Sequence, residues 1–131
     1  MRAKILNASA GSGKTYQLAY KYVRDVIDQP GLYRHILAVT FTNKATEEMK
    51  SRILKEIHRL ASGGASPYLG NLCRELSLDE RSVRKRAAEV RSKILHDYSR
   101  FTVLTIDTFF QRILRAFIKE LGIDLNYNVE I

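Results

Sequence analysis

Along this chain, short aliphatic runs alternate with longer stretches in which apolar side chains recur every three or four residues. Residues 4–8, centred on Ile5 and Leu6, read as a strand. Residues 14–29 then place Leu18, Ala19, Tyr22, Val23, Val26 and Ile27 on one stripe, which predicts a helix with one buried face, stopped by Pro30-Gly31. The run Ile36-Leu37-Ala38-Val39 suits a strand covered on both faces. After Thr40-Phe41-Thr42-Asn43 comes a helix to about residue 60, with Ala45, Met49, Ile53, Ile57 and Leu60 inward. Two strand-then-helix units in succession predict an α/β fold with a parallel sheet and right-handed crossovers.

Residues 62–68, with Gly63, Gly64 and Pro67, read as a loop. Ser77-Leu78-Asp79-Glu80 matches a capping box and predicts a helix to about Tyr98, with Val83, Ala87, Val90, Ile94 and Leu95 on its apolar side. Its other side carries Arg81, Arg84, Lys85, Arg86, Arg91 and Lys93, either a solvated face or a basic surface for DNA. Residues 101–106 are rich in β-formers and predict a third strand. The last helix, about 108–121, carries Phe109, Phe110, Ile113, Leu114, Phe117, Ile118 and Leu121, more apolar surface than one neighbour covers. Gly122 stands where that helix stops, and residues 126–131 read as the start of a further element.

Composition narrows the class. A chain of 131 residues, 45% apolar and 27% charged, suits one domain with a genuine core. No run approaches membrane-spanning length, and Met1-Arg2-Ala3-Lys4 lacks the apolar stretch of a signal peptide. The single cysteine, Cys73, forms no internal disulfide and has no metal-ligand spacing around it. A reducing, cytoplasmic location with no membrane partner is the expectation. The net charge of +8 suits a polyanionic partner.

The candidate chemistry starts at Ala8-Ser9-Ala10-Gly11-Ser12-Gly13-Lys14-Thr15, between the first strand and the first helix. Gly11 and Gly13 allow successive N–H groups to turn inward around an anion, and the helix dipole adds to the attraction. Lys14 supplies a point charge for the β- and γ-phosphates, and the Thr15 hydroxyl suits a Mg²⁺ bridging them. A nucleoside triphosphate with magnesium is the ligand implied, although Ala8 replaces the first glycine of the consensus phosphate loop.

Two more stretches lie just beyond strand carboxyl ends, where open α/β sheets place function. Hydroxyls and an amide in Thr40 to Ala45 can hold a phosphodiester backbone, and an exposed Phe41 can stack on a base. Alternatively Thr42 or Asn43 caps the helix and Phe41 joins the core. In Thr105-Ile106-Asp107-Thr108-Phe109, Asp107 can hold metal, contact DNA or cap the last helix, and spacing leaves all three open.

Together, ASAGSGKT, ILAVTFTNKATEEMKSRI and TIDTFFQRILRAF resemble, in order, motifs I, Ia and Ib of the UvrD/Rep-like superfamily 1 helicases. The TIDTF form is most similar to the RecB/AddA branch, whose members work in helicase-nuclease complexes, and Ala8 is typical of the family. The resemblance implies a P-loop NTPase of RecA-like, three-layer α/β/α architecture. Residues 1–131 would be the amino-terminal part of ATP-binding domain 1A, with 61–100 a helical insertion.

It further implies that Ala8, Ser9, Ala10, Gly11, Ser12, Gly13, Lys14 and Thr15 bind ATP, with Lys14 on the phosphates and Thr15 on Mg²⁺ as the catalytic pair. Phe41, Thr42 and Asn43 would meet single-stranded DNA, with Thr105, Asp107, Thr108 and Phe109 beside its backbone. Asp107 is then not the Walker B acid, which the family places later. That acidic pair, the later motifs and their arginine finger have no matching run, and nothing before Ile5 leaves room for the glutamine motif.

The function implied is an ATP-dependent DNA helicase of helicase-nuclease type, acting in repair and recombination with the rest of its chain and a nuclease subunit. An arginine finger is worth about a thousandfold or more in rate, so the 131 residues alone are expected to bind nucleotide weakly and hydrolyse it negligibly. Two other readings stand beside this one. One is a self-contained small P-loop kinase with Asp107 as its metal acid, the other a nucleic-acid-binding module with a vestigial nucleotide site.

Overall fold

In the computed structural model, which describes residues 4–7 and 12–122 and side chains from Tyr16 onward, three short strands pair in parallel. β1 (Lys4–Asn7), β2 (Ile36–Thr40) and β3 (Thr102–Thr105) form a sheet of order β1-β2-β3, with Lys4 opposite Ile36 and Leu37 opposite Thr102. Between them run α1 (Ser12–Asp28), a 3₁₀ turn at Pro30–His35, α2 (Asn43–Ala61), α3 (Leu69–Leu76) and α4 (Glu80–His96). A short 3₁₀ turn at Tyr98–Arg100 leads into β3, and α5 (Ile106–Glu120) follows.

The core is built by the stripes that the periodicity predicts. Leu18, Ala19, Tyr22, Val23, Val26 and Ile27 of α1 are all buried, together with Met49, Ile53, Ile57 and Leu60 of α2. Val83, Ala87, Val90 and Ile94 of α4 join them, over Ile36, Ala38, Phe101 and Val103 from the sheet side. α1 and α2 pack against the strands, and α4 packs on α1 and α2. Val39 is buried outside that cluster, as alternate positions of a strand face opposite sides. The α5 contacts are with β2 and β3, so the described residues show a parallel sheet with α1 and α2 packed against it and no more of a three-layer sandwich than α5 adds.

Several expectations are corrected. Ser77 is not a helix N-cap: it ends α3 in the left-handed conformation (φ 55), its N–H bonded to the Cys73 carbonyl. Asp79 caps α4 instead, accepting the Ser82 N–H at 2.7 Å, and hydrogen bonds from Ser82 hold its carboxyl below the ordinary range. The sharp reversal between α3 and α4 uses the residue that the capping box would need. Leu95 is 71% exposed, because the helical repeat that aligns Val83, Ala87, Val90 and Ile94 turns the next position away. Ala45 is half-buried, and Thr46 takes the inward place.

On α4, three arginines of the basic face are neither simply solvated nor free for DNA. Arg84 donates to the carbonyls of Leu60 (3.1 Å) and Gly64 (3.0 Å), and Arg86 to those of Asp28 (2.9 Å) and Ile27 (3.3 Å). Arg91 reaches Ser62 Oγ at 3.1 Å. The last carbonyls of a helix lack partners and carry the negative end of its dipole, so α4 binds α1 and α2 by capping both. On the α1–α3 side, the Tyr20 hydroxyl donates to Glu75 at 3.0 Å; burial and then that bond push its pKa up to about 12. No helix among the described residues is long and apolar enough to cross a membrane.

Two measurements check this packing. Arg84→Ala should lower stability by about 1–3 kcal/mol through loss of charged hydrogen bonds, whereas Lys85→Ala, on the exposed flank, should change it by less than about 0.5 kcal/mol; equal denaturation midpoints would contradict the capping role. Tyr20 is raised above the unfolded value of 10 to about 12, so its contribution is complete below pH 10 and lost as pH rises towards 12. The alkaline fall in stability should flatten in Tyr20→Phe.

Candidate nucleotide and nucleic-acid site

The register brings three strand ends to one edge: Asn7 lies opposite Val39, and Thr40 opposite Thr105. What leaves that edge after β1 is the phosphate-loop candidate. Ala8, Ser9, Ala10 and Gly11 lie outside the described residues, while Ser12, Gly13, Lys14 and Thr15 form the first turn of α1. The opening N–H groups of a helix have no internal partner, and no acidic side chain stands in this first turn to compete with an anion for them.

Next in sequence, Tyr16 lies beneath the Arg52 guanidinium, 5.4 Å from ring centroid to the carbon of the cation. Arg52 belongs to α2 and stands 3.9 Å from the fully buried Glu56, which also pairs with Arg59 at 3.2 Å. A cation of α2 is therefore held beside the first turns of α1. The sequence reading missed both Arg52 and Glu56. The available signal was a carboxylate on the buried stripe of α2, between Ile53 and Ile57.

After β2, Thr42 caps α2, its hydroxyl accepting the Ala45 N–H at 3.0 Å. Phe41 is 50% exposed and not a core residue, and Asn43 and Lys44 are exposed beside it. The two local readings thus divide: the cap is right for Thr42, and the core is wrong for Phe41.

After β3, Thr105 caps α5, accepting the Thr108 N–H at 3.3 Å, and the two hydroxyls stand 3.0 Å apart. Asp107 is therefore not the cap. It is an exposed acid in the first turn, where a negative charge suits the helix dipole. Phe109 is half-buried, 6.4 Å from the Phe110 ring. Register thus brings the start of the Phe41–Asn43 turn next to Thr105, where α5 is capped, and puts Asn7, the end of β1, on the other side of β2 from β3.

With that geometry in view, residues 2–131 match the model of the UvrD/REP helicase N-terminal domain family. The chain belongs to this family. The chain is 31% identical over 119 residues to the RecBCD enzyme subunit RecB of Escherichia coli (strain K12), covering 85% of this chain and 10% of the relative. It is 28% identical over 125 residues to the exonuclease/helicase subunit RexA of Lactococcus lactis subsp. cremoris (strain MG1363), covering 95% of this chain and 9% of the relative. To RecB of Haemophilus influenzae it is 30% identical over 142 residues, covering 93% and 11%. The chain thus spans about a tenth of the length of these relatives. No solved structure matches the chain.

The caps position the edge residues, and that is measurable. Thr42→Ala should destabilise the domain by about 0.5–2 kcal/mol, while Thr42→Ser should retain most of the stability. Equal losses in chemical denaturation would show that the methyl group, not the hydroxyl, matters at this position.

Proposed function

We propose that this chain is the ATP-binding part of an ATP-dependent DNA helicase of helicase-nuclease type, which moves along single-stranded DNA by hydrolysing ATP. The carrying observation is an exposed aromatic, Phe41, beside a capped helix N-terminus, at the same sheet edge as the acid-free opening turn of α1. A partial RecA-like, three-layer domain, with 61–100 as a helical insertion, is the setting proposed for it. Its proposed partners are the rest of the helicase chain and a nuclease subunit.

In this reading, backbone amides from Ala8 to Thr15 cradle the triphosphate, and Lys14 places its ammonium on the β- and γ-phosphates. The donor set fits the ligand, since the α1 N-terminus offers N–H groups and positive potential with no carboxylate in its first turn. Mg²⁺, when bound, neutralises phosphate charge, and the Thr15 hydroxyl would be its protein ligand. On the DNA side, Phe41 stacks on a base. Thr42 uses its oxygen for the cap, which leaves its O–H to donate to a phosphate, and the Asn43 amide can do the same.

Thr105, Thr108 and Phe109 flank the path. Asp107, a carboxylate, meets donors such as base amino groups there and not phosphates. Magnesium is not assigned to Asp107, because the family resemblance places the Walker B acid later in the chain.

The test is a pair of variants in the intact protein. Lys14→Ala should lower DNA-stimulated ATP hydrolysis by about a hundredfold or more, as loss of a transition-state charge contact does, while nucleotide-free DNA binding persists. Phe41→Ala should weaken single-strand affinity by roughly tenfold, within the 1–3 kcal/mol of a stacked base, with ATP-analogue affinity unchanged. Full hydrolysis by Lys14→Ala, or wild-type DNA affinity in Phe41→Ala, would overturn the assignment.

A further inference from the structure

Thr40, the last residue of β2, is buried, and so is Thr46 in the first turns of α2. Their hydroxyl oxygens are 2.5 Å apart. Both also reach the Thr42 carbonyl, Thr46 Oγ1 at 3.1 Å and Thr40 Oγ1 at 3.3 Å, and the Thr46 N–H donates to it at 3.0 Å. Thr40 Oγ1 lies 3.4 Å from the Leu104 carbonyl, one residue before Thr105. Each hydroxyl has one proton to donate: with Thr46 O–H donating to Thr40 Oγ1, Thr40 O–H to the Leu104 carbonyl and the Thr46 N–H to the Thr42 carbonyl, the pair joins the Phe41–Asn43 turn to the end of β3, beyond what the strand ladder supplies.

A valine would fill the same volume at either position without burying a polar group. A buried hydroxyl costs free energy unless bonded, so threonine here is offset only by these hydrogen bonds. The acceptors are the Thr42 carbonyl, inside one segment that the proposed function gives to DNA, and the Leu104 carbonyl, directly before the other. We infer that Thr40 and Thr46 are positioning residues for single-stranded DNA: their hydroxyl pair locks the Phe41–Asn43 turn and the Thr105–Phe109 segment into one rigid grip. The inference rests on the DNA reading above. Neither threonine touches DNA itself.

The experiment compares Thr46→Val and Thr40→Val with Thr46→Ser and Thr40→Ser in the intact protein. Readouts are anisotropy of a labelled single-stranded oligonucleotide, affinity for a labelled ATP analogue, and amide hydrogen exchange of residues 41–46. Each valine variant should weaken oligonucleotide binding by roughly tenfold, the worth of one or two buried hydrogen bonds, and speed exchange at 42–46. ATP-analogue affinity and exchange in α4 should stay at wild-type values. The serine variants, which keep the hydroxyl and lose the methyl, should bind the oligonucleotide like wild type.

If the valine variants bind the oligonucleotide like wild type while Phe41→Ala loses it, the positioning role is wrong and the DNA reading stands. Equal losses in serine and valine variants would assign the site to packing and also overturn the inference. If the wild-type protein itself fails to hold the oligonucleotide, the DNA reading falls first and the inference with it. Should one valine variant fail to fold, the other and the two serine variants decide by the same criteria.

Discussion

Main-chain hydrogen bonding along both edges of β2 is the constraint on which the rest depends. Because β1 and β3 both run parallel to β2, all three strands end on the same side, and their helices begin there. A parallel pair needs a long crossover, which the chain meets once with α1 and once with α2, α3 and α4. Slipping β2 by one residue would exchange its two faces, pulling Ile36 and Ala38 out of the core and turning Thr40 away from Thr46. The core thus specifies the register, and the register specifies which loops are neighbours.

That framework is then closed by groups that are individually modest. Stripes from α1, α2 and α4 bury a continuous aliphatic cluster on one side of the sheet, while Arg84 and Arg86 tie the ends of α2 and α1 to α4 by their carbonyls. Each helix that opens at the functional edge after β2 or β3 is capped by a threonine, Thr42 or Thr105; the first turn of α2 holds no acidic side chain, and that of α5 holds Asp107. By contrast α5 contributes no buried side chain, and Phe110, Ile113 and Phe117 stay exposed. Its role at the edge comes from where it starts.

Much of this was legible in the chain because the patterns are long and regular. The six-residue stripe of α1 and the aliphatic run of β2 each admit one reading, and both stand as expected. Shorter or non-local features were not legible. The eight-residue α3 follows a stretch with two glycines and a proline, and Ser77 was misread because a left-handed turn and a helix cap use the same residue types. Whether Phe41 faced in or out could not be read locally, since an apolar ring after a strand suits both, and the packing of β2 decides it. The roles of Arg84, Arg86, Arg52 and Glu56 depend on partners distant along the chain or on burial, which neither composition nor periodicity carries.

The central claim is that one sheet edge seats both ligands, the triphosphate after β1 and the single strand after β2 and β3. The most direct measurement is a structure of the intact protein with a magnesium-bound, non-hydrolysable ATP analogue and a single-stranded oligonucleotide. The account predicts phosphates at the first turn of α1 and the oligonucleotide crossing Phe41 to Asn43 and Thr105 to Phe109, with a base on the Phe41 ring. An oligonucleotide lying instead along the exposed cations of α4, or phosphates bound away from Lys14, would contradict it.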